Sequence, residues 1–273
     1  MSLSWGSRLQ ILLGPRHVAL GRLAGRGDAV RASHVEPCAA AGGWRPAAEA
    51  LEAGLRAFDC RGVRATVILS NAFLRYQVVP WHGGIVRRAE RDAFVRLCFQ
   101  RVFGDAAGGW ELRVSGDRYG AAAVASALDR DLLAAVGEVA RRQDVRIDAV
   151  QPYLMWAFNR WRAAMNERDL CLALVENGHV CLALAVGGQW RSVRNVPIAG
   201  SDPQAAVAEL VERELCLAAL DPAETGIYVR ASGEDAFELR RDTLPRAVTL
   251  GGPGQGPGTR ASDALFALAA NAK

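Results

Sequence analysis

Three strands, a helix and a fourth strand are spelled out twice along this chain, and that repeat limits the fold more than any other feature. Apolar runs over Arg8 to Leu13, Arg16 to Leu23 and Ala29 to Val35, separated by Gly14-Pro15 and Gly25-Arg26-Gly27-Asp28, read as a three-stranded meander. Trp44 to Phe58 has helical spacing, with Pro46 in its first turn and Leu51, Leu55 and Phe58 on one side, and Val63 to Leu69 reads as a buried strand. The second meander covers Leu170 to Val175, His179 to Val186 and Trp190 to Val196, joined by Asn177-Gly178 and Gly187-Gly188 turns. A helix predicted over Pro203 to Leu220, capped by Asp202, and a strand over Ile227 to Arg230 complete the repeat. The halves share element order without residue-level identity, which predicts a duplicated α/β fold.

The first half carries more than its repeat. A strand at Phe73 to Pro80, a helix at Ala89 to Phe103 and two facing strands at Trp110 to Val114 and Ala121 to Ser126 follow. Next come a helix at Asp129 to Arg142, a strand at Val145 to Val150 and a helix at Pro152 to Met165 with Tyr153, Trp156, Phe158 and Trp161. Aromatics at helical spacing read first as core between the halves, and as a partner surface second. The division is a first lobe over 1–166 with an inserted subdomain at about 71–126, and a second lobe over 167–250. Residues 251–273 read as a flexible Gly/Pro linker, Gly251 to Gly258, and a short helix at Asp263 to Ala270.

Composition removes several chemistries. The one lysine is Lys273, so a phosphate loop that needs a lysine after its glycines, and any Schiff-base chemistry, are excluded. Arginine can grip phosphate or carboxylate but does not act as a base. The 33 basic and 29 acidic residues leave a net charge of +4, too weak a field to call for nucleic acid. Cys38, Cys60, Cys98, Cys171, Cys181 and Cys216 form no C-x-x-C pair and read as reduced core or strand residues, and no metal is expected. His17, His34, His82 and His179 are too dispersed for a triad or metal motif. Glu234, Asp235 and Glu238 read as a solvated face. The start, Met1-Ser2-Leu3-Ser4-Trp5, has no basic or apolar leader, and apolar runs such as Cys181 to Val186 are too short to span a bilayer. Secretion and a membrane span are therefore not expected. A nuclease of the ribonuclease-H type would need acids at strand positions, where the first strand offers Leu9, Gln10, Ile11 and Leu12.

The stretch Val67-Ile68-Leu69-Ser70-Asn71-Ala72-Phe73-Leu74-Arg75-Tyr76-Gln77-Val78-Val79-Pro80-Trp81 resembles the corresponding segment of the pilus assembly protein PilM and of the cytoplasmic part of the type II secretion protein GspL. Both belong to the actin-like ATPase superfamily, built on duplicated ribonuclease-H-like halves, and the element order is similar over nearly the whole chain. The resemblance implies a cytoplasmic scaffold in a type IV pilus or type II secretion-like assembly. It would be held at the inner membrane by a partner protein, with no membrane span of its own, and a homodimer is left open. GspL-like proteins carry a membrane helix after this domain, and its lack here makes the chain more similar to PilM.

The family's nucleotide motifs map onto altered residues. Its first phosphate loop carries Asp-x-Gly and a downstream lysine; the matching positions are Leu12-Leu13-Gly14 and Ala19, with Arg16 nearby. The second becomes Glu176-Asn177-Gly178 followed by His179, and also reads as a two-residue turn. The adenosine-side glycines shrink to Gly233 after Ala231-Ser232. The resemblance therefore implies a degraded nucleotide cleft, no catalytic residues, no ATP or magnesium cofactor and a pseudo-ATPase; a working actin-like or sugar-kinase-like ATPase is the alternative. Phe73, Tyr76 and Trp81 are the residues it would place near a partner groove.

Overall fold

The computed structural model describes residues 8–23, 30–40, 42–116, 118–176, 178–198, 202–231, 244 and 246–250. The first half runs β1 (Arg8–Leu13), β2 (His17–Leu23), β3 (Val30–Pro37), α1 (Arg45–Ala57) and β4 (Arg64–Leu69). It continues with β5 (Leu74–Val79), α2 (Arg88–Phe103), β6 (Trp110–Ser115), β7 (Ala123–Asp129), α3 (Arg130–Arg142), β8 (Arg146–Pro152) and α4 (Tyr153–Trp161). The second half holds β9 (Leu170–Glu176), β10 (His179–Val186), β11 (Gln189–Pro197), α5 (Pro203–Leu217), β12 (Gly226–Ala231) and β13 (Ala247–Thr249).

Two five-stranded sheets have the same order, β3-β2-β1-β4-β8 and β11-β10-β9-β12-β13. In each, the first strand pairs antiparallel with the second and parallel with the fourth, so the duplication read from element order extends to strand pairing. The middle strands explain themselves. β1 is buried from Leu9 onward and β9 along its full length, as expected where both faces of a sheet are covered. A third sheet, β5-β7-β6, lies with α2 over its own small core of Val79, Val95, Phe99, Ala107, Ala125 and Ala127.

α1 buries Ala47, Ala50, Leu51, Gly54 and Leu55, a stripe at helical spacing. Gly54 permits that contact: a Cβ there would meet Leu20 Cδ1 at 3.2 Å and Glu36 Cβ at 3.5 Å. Asp202 caps α5 as expected, its Oδ1 accepting from Gln204 N at 3.0 Å and Ala205 N at 3.2 Å. The aromatic residues of α4 are core, the first of the two readings. Tyr153 and Trp161 are buried, Phe158 meets Trp190 of β11 at 4.8 Å, and one apolar cluster joins Leu154 and Ala157 to Leu172, Leu174 and Tyr228 of the second half.

Three expectations need correction. α4 ends at Trp161 rather than Met165, because tight turns over 161–165 fold Met165 back into the core. β7 runs to Asp129, three residues beyond the expected end, since Ala127 and Leu128 are buried strand positions and Asp129 is the cap of α3. β13, too short for a pattern signal, was not expected at all. The linker and helix expected over 251–273, together with Gly233, Glu234, Asp235 and Glu238, lie outside the described residues.

Candidate functional site

The tips of the β1–β2 and β9–β10 hairpins come together at the junction of the halves. The first tip is pinned by Gly14 N donating to His17 O at 3.0 Å and Cys38 N donating to Arg16 O at 2.7 Å. Leu12 and Leu13 just before it are buried and apolar. In the second hairpin Glu176 pairs with His179 across a two-residue turn, the geometry the Asn-Gly signal calls for, although Asn177 is outside the described residues. Gly178 has φ +71, which suits glycine, and Arg16 Nη2 lies 3.9 Å from the point a Cβ on Gly178 would occupy.

Glu176 is the one acidic side chain among the described residues of the two tips, and it is buried within the junction. Its Oε1 accepts a 2.6 Å hydrogen bond from the backbone N of Asn71, the first residue of a single 3-10 turn (Asn71–Phe73) after β4. Asn71 is itself fully buried. Its Oδ1 accepts from the Tyr76 hydroxyl at 2.7 Å and from Leu154 N at 3.1 Å, and its backbone carbonyl accepts from Asn195 Nδ2 at 2.6 Å. Asn195 Nδ2 also donates to Leu74 O at 3.2 Å. One residue thus joins β4, the inserted sheet, the start of α4, the second hairpin and β11. Burial, reinforced by Glu176 nearby, pushes the Tyr76 and Cys181 hydroxyl and thiol well above their usual ionisation range.

Beside the hairpin tips lies a cleft of about 430 Å³. Arg16 and His179 come from the two tips, Arg75 and Phe73 from the start of the inserted sheet, and Trp44 and Trp110 supply aromatic walls. Asp129 completes it, its Oδ2 accepting from Trp44 Nε1 at 3.2 Å. Of the three residues expected at a partner groove, only Phe73 lines this cleft. Tyr76 is corrected: its ring is buried and its hydroxyl is engaged by Asn71, so it presents nothing to a partner. Trp81 stands 44% exposed at the far end of β5, against Tyr119.

Among the described residues, no three His, Cys, Asp or Glu side chains gather as a metal site. Cys38 and Cys171 are poor nucleophiles. Burial pushes Cys38 up from 9.0 to about 11, with Glu36 adding to the effect, and Cys171 to about 12. A rise of that size for Cys38 lowers its thiolate fraction at pH 8 about 100-fold. Timed alkylation at pH 8 followed by mass spectrometry is therefore expected to label exposed Cys216 first, with Cys38 and Cys171 reacting only on unfolding.

No family model and no curated protein matches the sequence. Solved structures do. The PilM–PilN type IV pilus biogenesis complex is similar with a TM-score of 0.66 at 15% identity, over 96% of this chain and 97% of that one. The cytoplasmic domain of EpsL, an inner-membrane component of the type II secretion system of Vibrio cholerae, gives 0.57 at 14% identity, over 98% and 96%. A Bacteroides thetaiotaomicron protein with an actin-like ATPase fold gives 0.58 at 7% identity, over 90% and 91%. This chain has the actin-like ATPase fold. Its two hairpins hold equivalent places in the two five-stranded sheets, and the third sheet, β5-β7-β6, has no counterpart among the described residues of the second half. No helix among the described residues is long and apolar enough to cross a membrane.

Proposed function

We propose that this actin-like chain is a pseudo-ATPase scaffold on the cytoplasmic side of a type IV pilus or type II secretion-like assembly, where it binds a short segment of an inner-membrane protein. The observation that carries the reading is the use made of Glu176. The carboxylate nearest the hairpins accepts a backbone N–H across the junction and so helps hold the fold. Magnesium-nucleotide chemistry does not fit the neighbouring residues: the first tip supplies buried Leu12 and Leu13, with no oxygen to organise a metal-bound water. The cleft beside it, with arginines from two elements and aromatic walls, suits a short peptide that carries an apolar side chain and a carboxylate. The fold likeness to a PilM–PilN complex and to the EpsL cytoplasmic domain supports a partner of that kind.

Calorimetric titration with peptides and a thermal-shift titration with nucleotide test the two halves of the reading. Peptides copied from cytoplasmic segments of inner-membrane pilus and secretion proteins are expected to bind, and Arg16→Ala or Phe73→Ala to weaken the best of them about tenfold, the loss typical of a contact worth roughly 1.4 kcal/mol. Millimolar Mg-ATP is expected to leave the melting temperature unchanged. A saturable upward shift with Mg-ATP overturns the pseudo-ATPase reading, because a ligand that binds only the folded state must stabilise it.

A further inference from the structure

We propose that the end of the inserted sheet beside the β10–β11 turn, where Gly188, Gln189 and Trp190 share a recess with Trp81 and Tyr119, is a docking surface for an anionic lipid bilayer. Two connections meet there, the one from β5 to α2 and the one from β6 to β7. Trp81 on the first and Tyr119 on the second are in edge-to-face contact, 4.9 Å between ring centroids. Val86 keeps 87% of its surface in solvent and Tyr119 keeps 86%, the most exposed large apolar side chains among the described residues. Arg118 lies in the same recess as Trp81 and Tyr119, and Arg87 and Arg88, which follow Val86 in the chain, line the adjoining one with it. Arg91 borders both, its Nη2 donating to Gly116 O at 3.2 Å.

The mixture of residues decides the partner. Tryptophan and tyrosine favour the headgroup layer of a bilayer, where an amphipathic ring has both an apolar and a wet neighbour. Arginine binds phosphate in a two-pronged fashion and is drawn to an anionic leaflet. The local acids offset part of that charge: Arg87, Arg88, Arg91 and Arg118 outnumber Glu90, Asp92 and Asp117 by one, and Asp92 reaches Arg88 only at 4.0 Å. A groove that held an acidic peptide would shelter its aromatic anchors. Here Val86 and Tyr119 stand out of the surface, which suits entry into a soft layer. The 71–126 segment has eight arginines against five acids, a surplus of three in a chain whose total is +4.

The test is flotation of the purified full chain with vesicles, with no protein partner present, so its outcome is independent of the cleft. Binding is expected with vesicles of equal parts phosphatidylglycerol and phosphatidylcholine, and little with phosphatidylcholine alone. Arg87→Glu with Arg88→Glu should reduce the bound fraction at least tenfold, since each basic residue near an anionic surface contributes on the order of 1 kcal/mol. Tyr119→Ser alone should reduce it several-fold, and its position at the surface keeps the fold intact. Equal binding to both vesicle types overturns the proposal, as do no binding to either, arginine variants that float like the parent, and capture by polyglutamate without any by vesicles.

Discussion

Asn71→Ala is expected to destabilise the protein by about 4 kcal/mol, measured as a lowered urea midpoint. The side-chain oxygen accepts two buried hydrogen bonds, from the Tyr76 hydroxyl and Leu154 N, and alanine leaves both donors without that acceptor. Each orphaned buried group costs roughly 1–3 kcal/mol. Tyr76→Phe removes one of the two donors and is expected to cost only about 1 kcal/mol. In the double variant the losses should fall short of their sum by at least about 1 kcal/mol, since one bond is removed by either change. Strict additivity would mean that the Tyr76–Asn71 bond contributes nothing. The backbone bonds of Asn71 to Glu176 and Asn195 survive the substitution, so the junction of the halves should persist in the weakened protein.

Phe99→Ala should cost about 3–5 kcal/mol, the usual range for a fully buried aromatic residue, but in one part of the molecule only. Phe99 belongs to the small core under the inserted sheet and stacks with Phe103 at 5.9 Å, while the large cluster beneath β1 and β9 does not include it. Amide exchange in α2, β5, β6 and β7 is therefore expected to speed up strongly while β1 and β9 stay protected. Equal loss of protection in β9 would mean that the insertion and the two halves open as one unit.

The elements that could be read from sequence were those whose burial leaves a period. β1, β9 and β10 are apolar runs bounded by turn residues, and α1 and α5 carry a stripe with a recognisable start. The Val67 to Trp81 stretch pointed to this fold, and solved structures bear out the resemblance. The junction was harder to see. Asn71 looks in sequence like a turn residue beside a serine; that it holds five elements follows only from the topology that brings Glu176, Leu154 and Asn195 to it. Tyr76 and Trp81 illustrate the same limit: both are aromatics of one extended segment, yet cross-strand packing buries the first and strand end exposes the second. No local pattern separates them.

The bonds around Asn71 also have a mechanical meaning. Asn195, on the outer strand of the second sheet, grips Asn71 and Leu74 at the root of the inserted one. Glu176 holds the same root from the other side. A tug on the insertion therefore finds no joint there to absorb it: it is carried into both sheets together, and the molecule at that point behaves as a bracket instead of a hinge.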